Sequence, residues 1–184
     1  MAGARIKPLT QVTYISVDND AVETDLSRVD PARVVRRLPV SRAGQRNYSG
    51  WYWSSTVHGH LVFESLLERD RFLLADFCSD VRWIAAQPFW LRGYDGSRFR
   101  RHVPDMLLEH SDRSFTVVDV KAERMLTDPD VVAILKWTDQ LCRSRGWQHE
   151  VWSGTNQTEL QNVRFLSMAK RSRSVATGAS AESE

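Results

Sequence analysis

The sequence predicts an α/β fold, in which helices pack on a mixed β-sheet. Two segments have a helical spacing of apolar residues, at 61–77 and 130–145. Between them, short apolar runs bounded by turn residues indicate strands at 81–91, 103–108 and 115–121. The order helix, three strands, helix, strand is typical of a single α/β core with a mixed sheet. The chain of 184 residues is long enough for one such domain with appendages.

Composition excludes several classes of protein. Hydrophobic residues make up 42% of the chain, as in ordinary globular proteins. No apolar run approaches the length of a membrane span and the N-terminus lacks an apolar signal core, so no membrane partner is expected. Cys78 and Cys142 are isolated cysteines, which argues against a zinc site or a disulfide framework. A reducing, cytoplasmic location is therefore expected, associated with the nucleoid when the protein is active.

The N-terminal region carries no obvious chemistry before residue 31. It contains a possible strand at Val12–Val17 and an acidic link around Asp18–Asp25. Residues 31–60 are rich in Arg, Gly and aromatic side chains without a sustained helical period, and we interpret them as an extended arm leading into the core. Guanidinium and aromatic groups of this arm could contact phosphates and stack on exposed bases, or the aromatics could cover the edge of the core. The candidates are Arg46, Trp51, Tyr52 and Trp53.

Basic residues are clustered, although the net charge is only +2. Such clusters are typical of nucleic-acid contacts and also of ordinary solvated surface. The clusters are Arg33, Arg36, Arg37, Arg42 and Arg46, then Arg98, Arg100 and Arg101, then Lys170, Arg171 and Arg173. Within them, we predict DNA contacts at Arg46, Arg98, Arg100 and Arg101.

The first helix is predicted over Leu61–Phe77, where apolar residues recur every three to five positions. Glu64 and Glu68 are four residues apart and share one face of this helix. Paired acids on a helix are usually exposed surface. Here they also could supply the carboxylate that a nearby metal site would still need.

The following strands bring further polar groups together. A strand from residue 81 is interrupted near Gln87-Pro88, and Tyr94–Ser97 predicts a hairpin turn. Gln87 is a candidate for orienting the site, although a strand amide bonded to backbone is the commoner arrangement. Asp105 lies in the apolar run before the turn sequence HSDRS, and residues 115–121 form the strand after it.

This hairpin predicts a metal-dependent site. Strand residues alternate faces, so Asp119 and Lys121 point the same way, next to Asp105 on the neighbouring strand. Carboxylate oxygens are the ligands that Mg²⁺ prefers, and a lysine beside them can orient a water or offset charge on a phosphate. The strings PD and DxK are short, so a turn proline and a solvated strand face are the competing interpretation.

The C-terminal part completes the predicted fold. A helix is expected over Asp130–Arg145, a strand over His149–Trp152 and a further helix over Glu159–Lys170. The last residues are small and polar and should be disordered. We therefore divide the chain into an N-terminal arm (1–43), one domain (44–170) and a tail (171–184).

Taken in order, these motifs resemble the PD-(D/E)xK nuclease superfamily, and within it the TnsA-like endonuclease subunits of heteromeric transposons. The resemblance covers roughly residues 44–153. It rests on ESLLE at Glu64–Glu68, the V-x-x-I-x-x-Q-P of Val81–Pro88, a basic strand leading to Val103-Pro104-Asp105, and Val118–Lys121. It implies a restriction-endonuclease-like core with the order αβββαβ.

The resemblance also implies roles for these residues. Glu68 closes the S-x-x-E element and would be the catalytic glutamate, with Glu64 supporting it. Glu68, Asp105 and Asp119, with the carbonyl of Val120, would hold one or two Mg²⁺ or Mn²⁺ ions. Lys121 would position the attacking water or offset charge. The implied products are a 3′-hydroxyl and a 5′-phosphate.

Two departures from the family affect these expectations. Some members have Gln where this chain has Asp119, whose carboxylate supports metal binding better. Many relatives also carry a C-terminal helical domain, whereas only about thirty residues follow Trp152 here. We therefore expect that domain to be absent or reduced to one helix and a basic tail.

Three functions are compatible with the sequence. The first, which we favour, is an endonuclease that cuts double-stranded DNA at transposon ends beside a cognate DDE-type transposase, with an AAA+ ATPase as a further expected partner. The second is a free-standing restriction-type or junction-resolving nuclease. The third is a non-catalytic DNA-binding module of the same fold.

Overall fold

The structure is a computed structural model that describes residues 10–16, 21–31, 34–35 and 48–167. These residues form a mixed α/β fold with several sheets and three helices, which confirms the predicted class. Arg46, the basic clusters at 33–46 and 170–173 and the predicted tail at 171–184 lie outside the described residues.

Eleven strands and three helices are found in the described ranges. The strands are β1 Gln11–Ser16, β2 Ala21–Asp25, β3 Val34–Val35, β4 Gly50–Ser54, β5 Gly59–Phe63, β6 Val81–Ala86, β7 Trp90–Tyr94, β8 Phe99–His102, β9 Met106–His110, β10 Phe115–Val120 and β11 Gln148–Trp152. The helices are α1 Leu66–Phe77, α2 Pro129–Ser144 and α3, residues 157–167.

The strands are arranged in two larger sheets and one hairpin. The central sheet has the order β11-β10-β9-β6, and only its β10–β11 pair is parallel. The outer sheet has the order β2-β1-β7-β8, and β3 also pairs with β1. Strands β4 and β5 pair only with each other among the described strands. Helix α2 connects the two parallel strands, as expected because such strands need a crossover.

Helix α1 begins later than predicted. Ser65 is its N-cap, and the Ser65 hydroxyl accepts a hydrogen bond from the Glu68 amide at 3.1 Å. The Glu68 carboxylate in turn accepts from the Ser65 hydroxyl and from the Glu64 amide, a variant of the S-x-x-E capping box, in which the acid accepts from the N-cap amide. The prediction of helix over residues 61–65 is wrong, because Leu61–Phe63 belong to β5 and pair with β4. Glu64 precedes the N-cap Ser65, so Glu64 and Glu68 do not share a helix face as predicted.

Helix α2 matches the prediction closely. Asp128 caps its N-terminus by accepting from the Asp130 amide at 2.8 Å, and Pro129 occupies the first turn, where its missing N–H costs nothing. Its end is marked by Gly146, whose φ of +69° favours glycine. The buried residues Leu135, Trp137 and Thr138 face the sheets.

The core lies on both faces of the central sheet. On one face, Val118 and Val120 of β10 pack with Phe72 and Leu73 of α1 and with Leu160 of α3. On the other face, Val117 packs with residues of α2 and the outer sheet, including Trp137, Cys142 and Leu91. Alternation along β10 therefore directs Asp119 towards the α2 side, opposite to Val118 and Val120.

The predicted β9–β10 hairpin is confirmed. The strands are antiparallel, with Val118 opposite Met106. Asp105 lies one residue before β9 rather than within the strand, and its amide donates to the Val118 carbonyl at 3.0 Å. Lys121 follows β10 directly and its amide donates to the Trp152 carbonyl at 2.9 Å. The two site residues are therefore fixed at one end of the hairpin.

The described part of residues 1–43 joins the rest of the fold. Strand β1 pairs with β7, so this region extends the outer sheet. The interpretation of residues 31–60 as an extended arm is wrong for residues 50–60, which form the β4–β5 hairpin next to α1. The division of the chain at residues 43 and 44 stays a prediction. Among the described residues, no helix has the length and apolar character needed to cross a bilayer.

Candidate active site

Asp105 and Lys121 form the centre of the candidate site. The Lys121 ammonium donates to Asp105 Oδ2 at 3.0 Å and to the Val120 carbonyl at 3.0 Å. The Val120 amide also donates to Asp105 Oδ2, at 2.6 Å. Burial raises the pKa of Asp105, the Lys121 charge opposes this, and the Asp119 charge adds to it. Asp105 is thus a half-buried acid whose charge is stabilised mainly by Lys121.

Lys121 is held in its charged form. Burial works against the ammonium, but the charges of Asp105 and Asp119 outweigh it and raise the pKa of Lys121. Since an unperturbed lysine is already protonated at neutral pH, this group is a cation in the folded protein. Lys121 can therefore attract a phosphate or donate a hydrogen bond to a water, and it is a poor base.

Glu68 faces the same site from α1. Its side chain is only 8% exposed, and its Oε2 accepts from the Glu64 amide at 2.9 Å. Burial, followed by the negative charge of Asp105, raises the pKa of Glu68 to about 7. Glu68, which is buried, and Asp105, which is half-buried, thus form a pair of acids that repel each other when both are ionised.

Asp119 is completely buried and is bonded differently. Its Oδ1 accepts from His102 Nε2 at 2.7 Å, and its Oδ2 accepts from His149 Nε2 at 2.9 Å. Burial raises the pKa of Asp119, but these two hydrogen bonds outweigh burial and hold it well below the usual range. Asp119 is therefore an ionised carboxylate whose two oxygens already have imidazole partners.

The fit of a divalent cation to these residues is partial. Three carboxylates and the Val120 carbonyl are hard oxygen donors of the type that Mg²⁺ prefers. However, no group of three or more His, Cys, Asp or Glu side chains in the described part of the chain is arranged to hold a metal ion. Glu68 and Asp105 are the carboxylates whose raised pKa values a cation would reverse. Asp119 would first have to exchange an imidazole partner.

The supporting residues lie beside this centre. The Glu64 amide, rather than its carboxylate, contacts Glu68, and the Glu64 charge contributes to the raised pKa of Glu68. The backbone amide of Gln87 donates to the backbone carbonyl of Asp105 at 2.9 Å, and Gln87 has a φ of +45°. This left-handed conformation is strained for a residue other than glycine, by roughly 1–3 kcal/mol. Gln87 thus anchors the backbone of Asp105.

The predicted DNA-contacting arginines have different surroundings. Arg98 pairs with Asp130, and Arg100 is buried and pairs with Asp95. Only Arg101 of the three is exposed without a carboxylate partner in the described residues, and its guanidinium lies 5.8 Å from the centre of the Phe99 ring. Arg46 lies outside the described residues.

The aromatic candidates divide in the same way. Trp51 and Trp53 are exposed on the outer side of β4, and each ring makes an edge contact with His60. Tyr52 points inward, and its hydroxyl donates to Asp76 at 3.0 Å. The expectation that Tyr52 stacks on a base is therefore wrong, because its ring packs on Phe72 in the core.

Sequence reasoning missed His102 and His149. They lie on β8 and β11, in different sheets, and meet only at Asp119. His102 stands three residues before Asp105, where attention to the string HVPD could have found it. Nothing in the sequence indicates that His149 lies beside Asp119, because that requires the parallel register in which Val117 is opposite His149.

The comparisons with known proteins identify no family. A scan against protein-family models finds no match to this chain. A search of curated proteins likewise finds no significant match. The functional proposal therefore depends on the residues of the site.

Proposed function

We propose that this protein is a metal-dependent DNA endonuclease, and that it works as the cleaving subunit of a heteromeric transposase at transposon ends. The observation that carries the proposal is the half-buried Asp105–Lys121 ion pair with the buried Glu68 beside it. Two acids can hold a cation, and the cation and the charged lysine can together bind an anionic substrate. A phosphodiester is such a substrate.

The order of elements gives further support. Helix α1, strands β6, β9 and β10, helix α2 and strand β11 follow one another, and these four strands form the central sheet. Strands β7 and β8 are inserted between β6 and β9 and belong to the outer sheet. This order is compatible with the αβββαβ core that the sequence resemblance implies, with one hairpin added.

The residues have separable roles in the proposed reaction. Glu68 and Asp105 would hold the divalent cation, with the Val120 carbonyl and Asp119 as further oxygen donors. A bound cation would lower the pKa of a water and offset charge on the phosphate. Lys121 would donate to the phosphate oxygens or to the attacking water. Gln87 fixes the Asp105 backbone, so that the carboxylate stays at the end of the hairpin.

Cleavage of plasmid DNA with Mg²⁺ or Mn²⁺ tests the nuclease proposal. Lys121→Ala should reduce the rate at least 100-fold, about the contribution of a positioned proton donor or cation. Lys136→Ala is the matched control, because Lys136 is an exposed lysine of α2 and its loss should leave the rate unchanged. Equal rates for the wild type and Lys121→Ala would refute the proposed role of this site.

Metal binding can be tested without DNA. A ligand that binds only the folded state raises its stability by mass action, so millimolar Mg²⁺ or Mn²⁺ should increase the melting temperature. Asp105→Ala should abolish the increase, while Asp112→Ala, in an exposed turn, should retain it. An unchanged melting temperature of the wild type would contradict the metal site.

The transposon role makes a separate claim about specificity. With a net charge of only +2, the chain should bind DNA weakly and in a salt-sensitive way. The purified protein should cut without strong sequence preference and become specific when its cognate transposase is added. Efficient site-specific cutting by the chain alone would favour the free-standing nuclease.

One observation favours a second candidate, a non-catalytic DNA-binding module. Both oxygens of Asp119 are bonded to histidines, and no three-ligand cluster is present in the described residues. A module of this kind would bind DNA with or without metal and would not cut it under any metal condition. The plasmid assay distinguishes it from the nuclease.

A further inference from the structure

The outward side of the β7–β8 hairpin carries two arginines and two aromatic rings. In the antiparallel register, Arg92 is opposite Arg101 and Tyr94 is opposite Phe99. Paired residues project to the same side of a sheet, and positions two apart along a strand share that side. These four residues form one surface, which we call the outer hairpin face.

The other side of the same hairpin is packed inside the protein. Leu91 belongs to the core, and a Cβ on Gly93 would lie 3.2 Å from the ring of Trp137 on α2. Hydrogen bonds from Ser97 and Arg98 to Asp95 fix the turn between the strands. Packing on the inner side therefore fixes the hairpin, and this lowers the entropy cost of binding a ligand on the outer hairpin face.

Charge on this hairpin is distributed unevenly between its two sides. Arg98 and Arg100 each pair with an aspartate. Arg92 and Arg101 are directly opposite each other, and neither has a carboxylate partner in the part of the chain that the structure describes. Like charges directly opposite each other destabilise a sheet. An anion between the two guanidiniums would relieve that repulsion.

Arg92 is half-buried on this face, and its Nε is buried without a hydrogen-bond acceptor among the described residues. Because an outside ligand cannot reach a buried nitrogen, a phosphate would contact the terminal nitrogens of this guanidinium. Phosphate oxygens accept well from guanidinium groups.

The outer sheet also limits where a polyanion can lie. Next to β7, the same side presents Gln11 and Thr13 of β1, and beyond them Glu23 and Asp25 of β2. These acids would repel phosphates at that edge. A nucleic-acid backbone on this sheet is thereby confined to β7 and β8.

The exposed rings indicate which form of nucleic acid fits. Phe99 is 58% exposed and Tyr94 is 47% exposed, as a directly opposed pair. Aromatic side chains stack on the faces of bases, and a duplex hides these faces while a single strand presents them. The rings and the arginines are neighbours on this face, since the Arg101 guanidinium lies 5.8 Å from the centre of the Phe99 ring. This surface could hold one or two nucleotides.

We propose that the outer hairpin face binds an unpaired segment of the DNA strand, with bases on Phe99 and Tyr94 and phosphates on Arg92 and Arg101. The proposal rests on the proposed endonuclease function, because β8 leads through His102 to Asp105 in three residues. Arg101 is four residues before Asp105, so their Cα atoms lie within about 14 Å of each other. The outer hairpin face is on the opposite side of β8 from His102, which contacts Asp119. The surface would thus select DNA whose ends are frayed or distorted near the cut.

Binding of a fluorescent 12-nucleotide oligothymidine in EDTA tests this surface without cleavage. The double variant Arg92→Ala/Arg101→Ala should weaken binding at least tenfold and reduce the slope of log K against log salt by about 1.4, the value for two phosphate contacts on a single strand. Phe99→Ala should weaken it about tenfold, and Phe99→Trp should restore it. Arg113→Ala is the control, because it removes an exposed arginine from the β9–β10 turn.

A duplex of the same length distinguishes stacking from simple charge attraction. Phe99→Ala should leave duplex affinity within twofold of the wild type. Equal affinities of the wild type and the double variant for the oligothymidine would overturn the proposal, as would an equal loss of single-strand and duplex affinity in Phe99→Ala. Circular dichroism and melting temperature would show whether each variant is folded.

The outcome is separable from that of the proposed function. If the surface proposal alone fails, Lys121→Ala still reduces the cleavage rate at least 100-fold, and the hairpin variants bind oligothymidine as the wild type does. If the nuclease proposal alone fails, the wild type binds oligothymidine through Arg92, Phe99 and Arg101 and cuts no DNA with either metal.

Discussion

A carboxylate is buried at each end of α1, and the pKa values of the two groups are shifted in opposite directions. Glu68 is 8% exposed and Asp76 is 6% exposed, so burial alone cannot distinguish them. Burial opposes ionisation of Asp76, but its hydrogen bonds, first that from Ser54, outweigh burial and lower its pKa. Glu68 accepts fewer hydrogen bonds and lies beside Asp105, and its pKa rises to about 7.

The difference separates a structural acid from a candidate functional one. Asp76 accepts five hydrogen bonds from the β4–β5 hairpin, given by Tyr52, Ser54, Ser55 twice and Thr56. It fastens that hairpin to α1 and has no lone pair left for a ligand. Ionisation of Glu68 is disfavoured, and a cation would stabilise its charged form. The number of hydrogen bonds that a buried acid accepts, and not the extent of its burial, therefore indicates which acid is available for chemistry.

The largest expected effect is the loss of cleavage in Glu68→Gln. Because glutamine keeps one of the two acceptor oxygens and the Ser65 hydroxyl still accepts from the residue 68 amide, α1 should stay folded. The carboxylate charge needed for a cation is lost, so we expect the cleavage rate to fall at least 1,000-fold, about 4 kcal/mol at the transition state. A rate measured with millimolar Mn²⁺, alongside the melting temperature, checks this. A rate within tenfold of the wild type would place the site elsewhere.

Asp76→Ala should mainly destabilise the protein. It leaves donors of the buried Ser54 and of the half-buried Ser55 and Thr56 without their acceptor, which should cost about 3 kcal/mol. Urea unfolding measures the loss, and Asp112→Ala, an exposed aspartate with one backbone hydrogen bond, should cost under about 1 kcal/mol. Equal costs would show that the Asp76 hydrogen bonds contribute little.

The raised pKa of Glu68 should also appear in the pH dependence of the free energy of unfolding. The folded state keeps the Glu68 proton up to about pH 7, whereas an unfolded glutamate loses it near 4.5. The folded state therefore binds more protons between these values, and stability falls as pH rises through this window. Glu68→Gln should lack this fall and gain about 2 kcal/mol relative to the wild type between pH 5 and pH 8. Parallel stability curves for the two proteins would rule out the raised pKa.

The smallest effect is expected for Glu64→Gln. The Glu64 amide donates to Glu68, and this backbone contact survives the substitution. The cleavage rate should change less than threefold, under about 1 kcal/mol. A larger loss than in Glu68→Gln would show that the roles of the two acids are reversed.

Local signals predicted much of the fold. The turn HSDRS and the cap at Gly146 located the β9–β10 hairpin and the end of α2, because both depend on nearby residues. The predicted start of α1 is wrong because the apolar run Leu61–Phe63 suits a strand as well as a helix. Pairing with β4 decides in favour of the strand. The S-x-x-E capping box at Ser65 marks the true start and is visible in the sequence.

The site was predicted in part for the same reason. Asp105 and Lys121 contact each other across one hairpin, which sequence spacing can indicate. The partners of Asp119 come from β8 and β11, and Arg92 becomes opposite Arg101 only through the β7–β8 register. Such pairings depend on tertiary structure, and alternation within a single strand does not contain them.

The two cysteines differ in chemical reactivity as a consequence of the core around α2. Cys142 is buried, and burial followed by the charge of Asp119 raises the pKa of its thiol to about 12. Only the thiolate reacts with alkylating reagents, so Cys142 is inert in the folded protein at neutral pH. Cys78 is exposed just after α1. The wild-type sequence therefore offers a single attachment point for a fluorophore, and alkylation of Cys142 reports opening of the core beside Asp119.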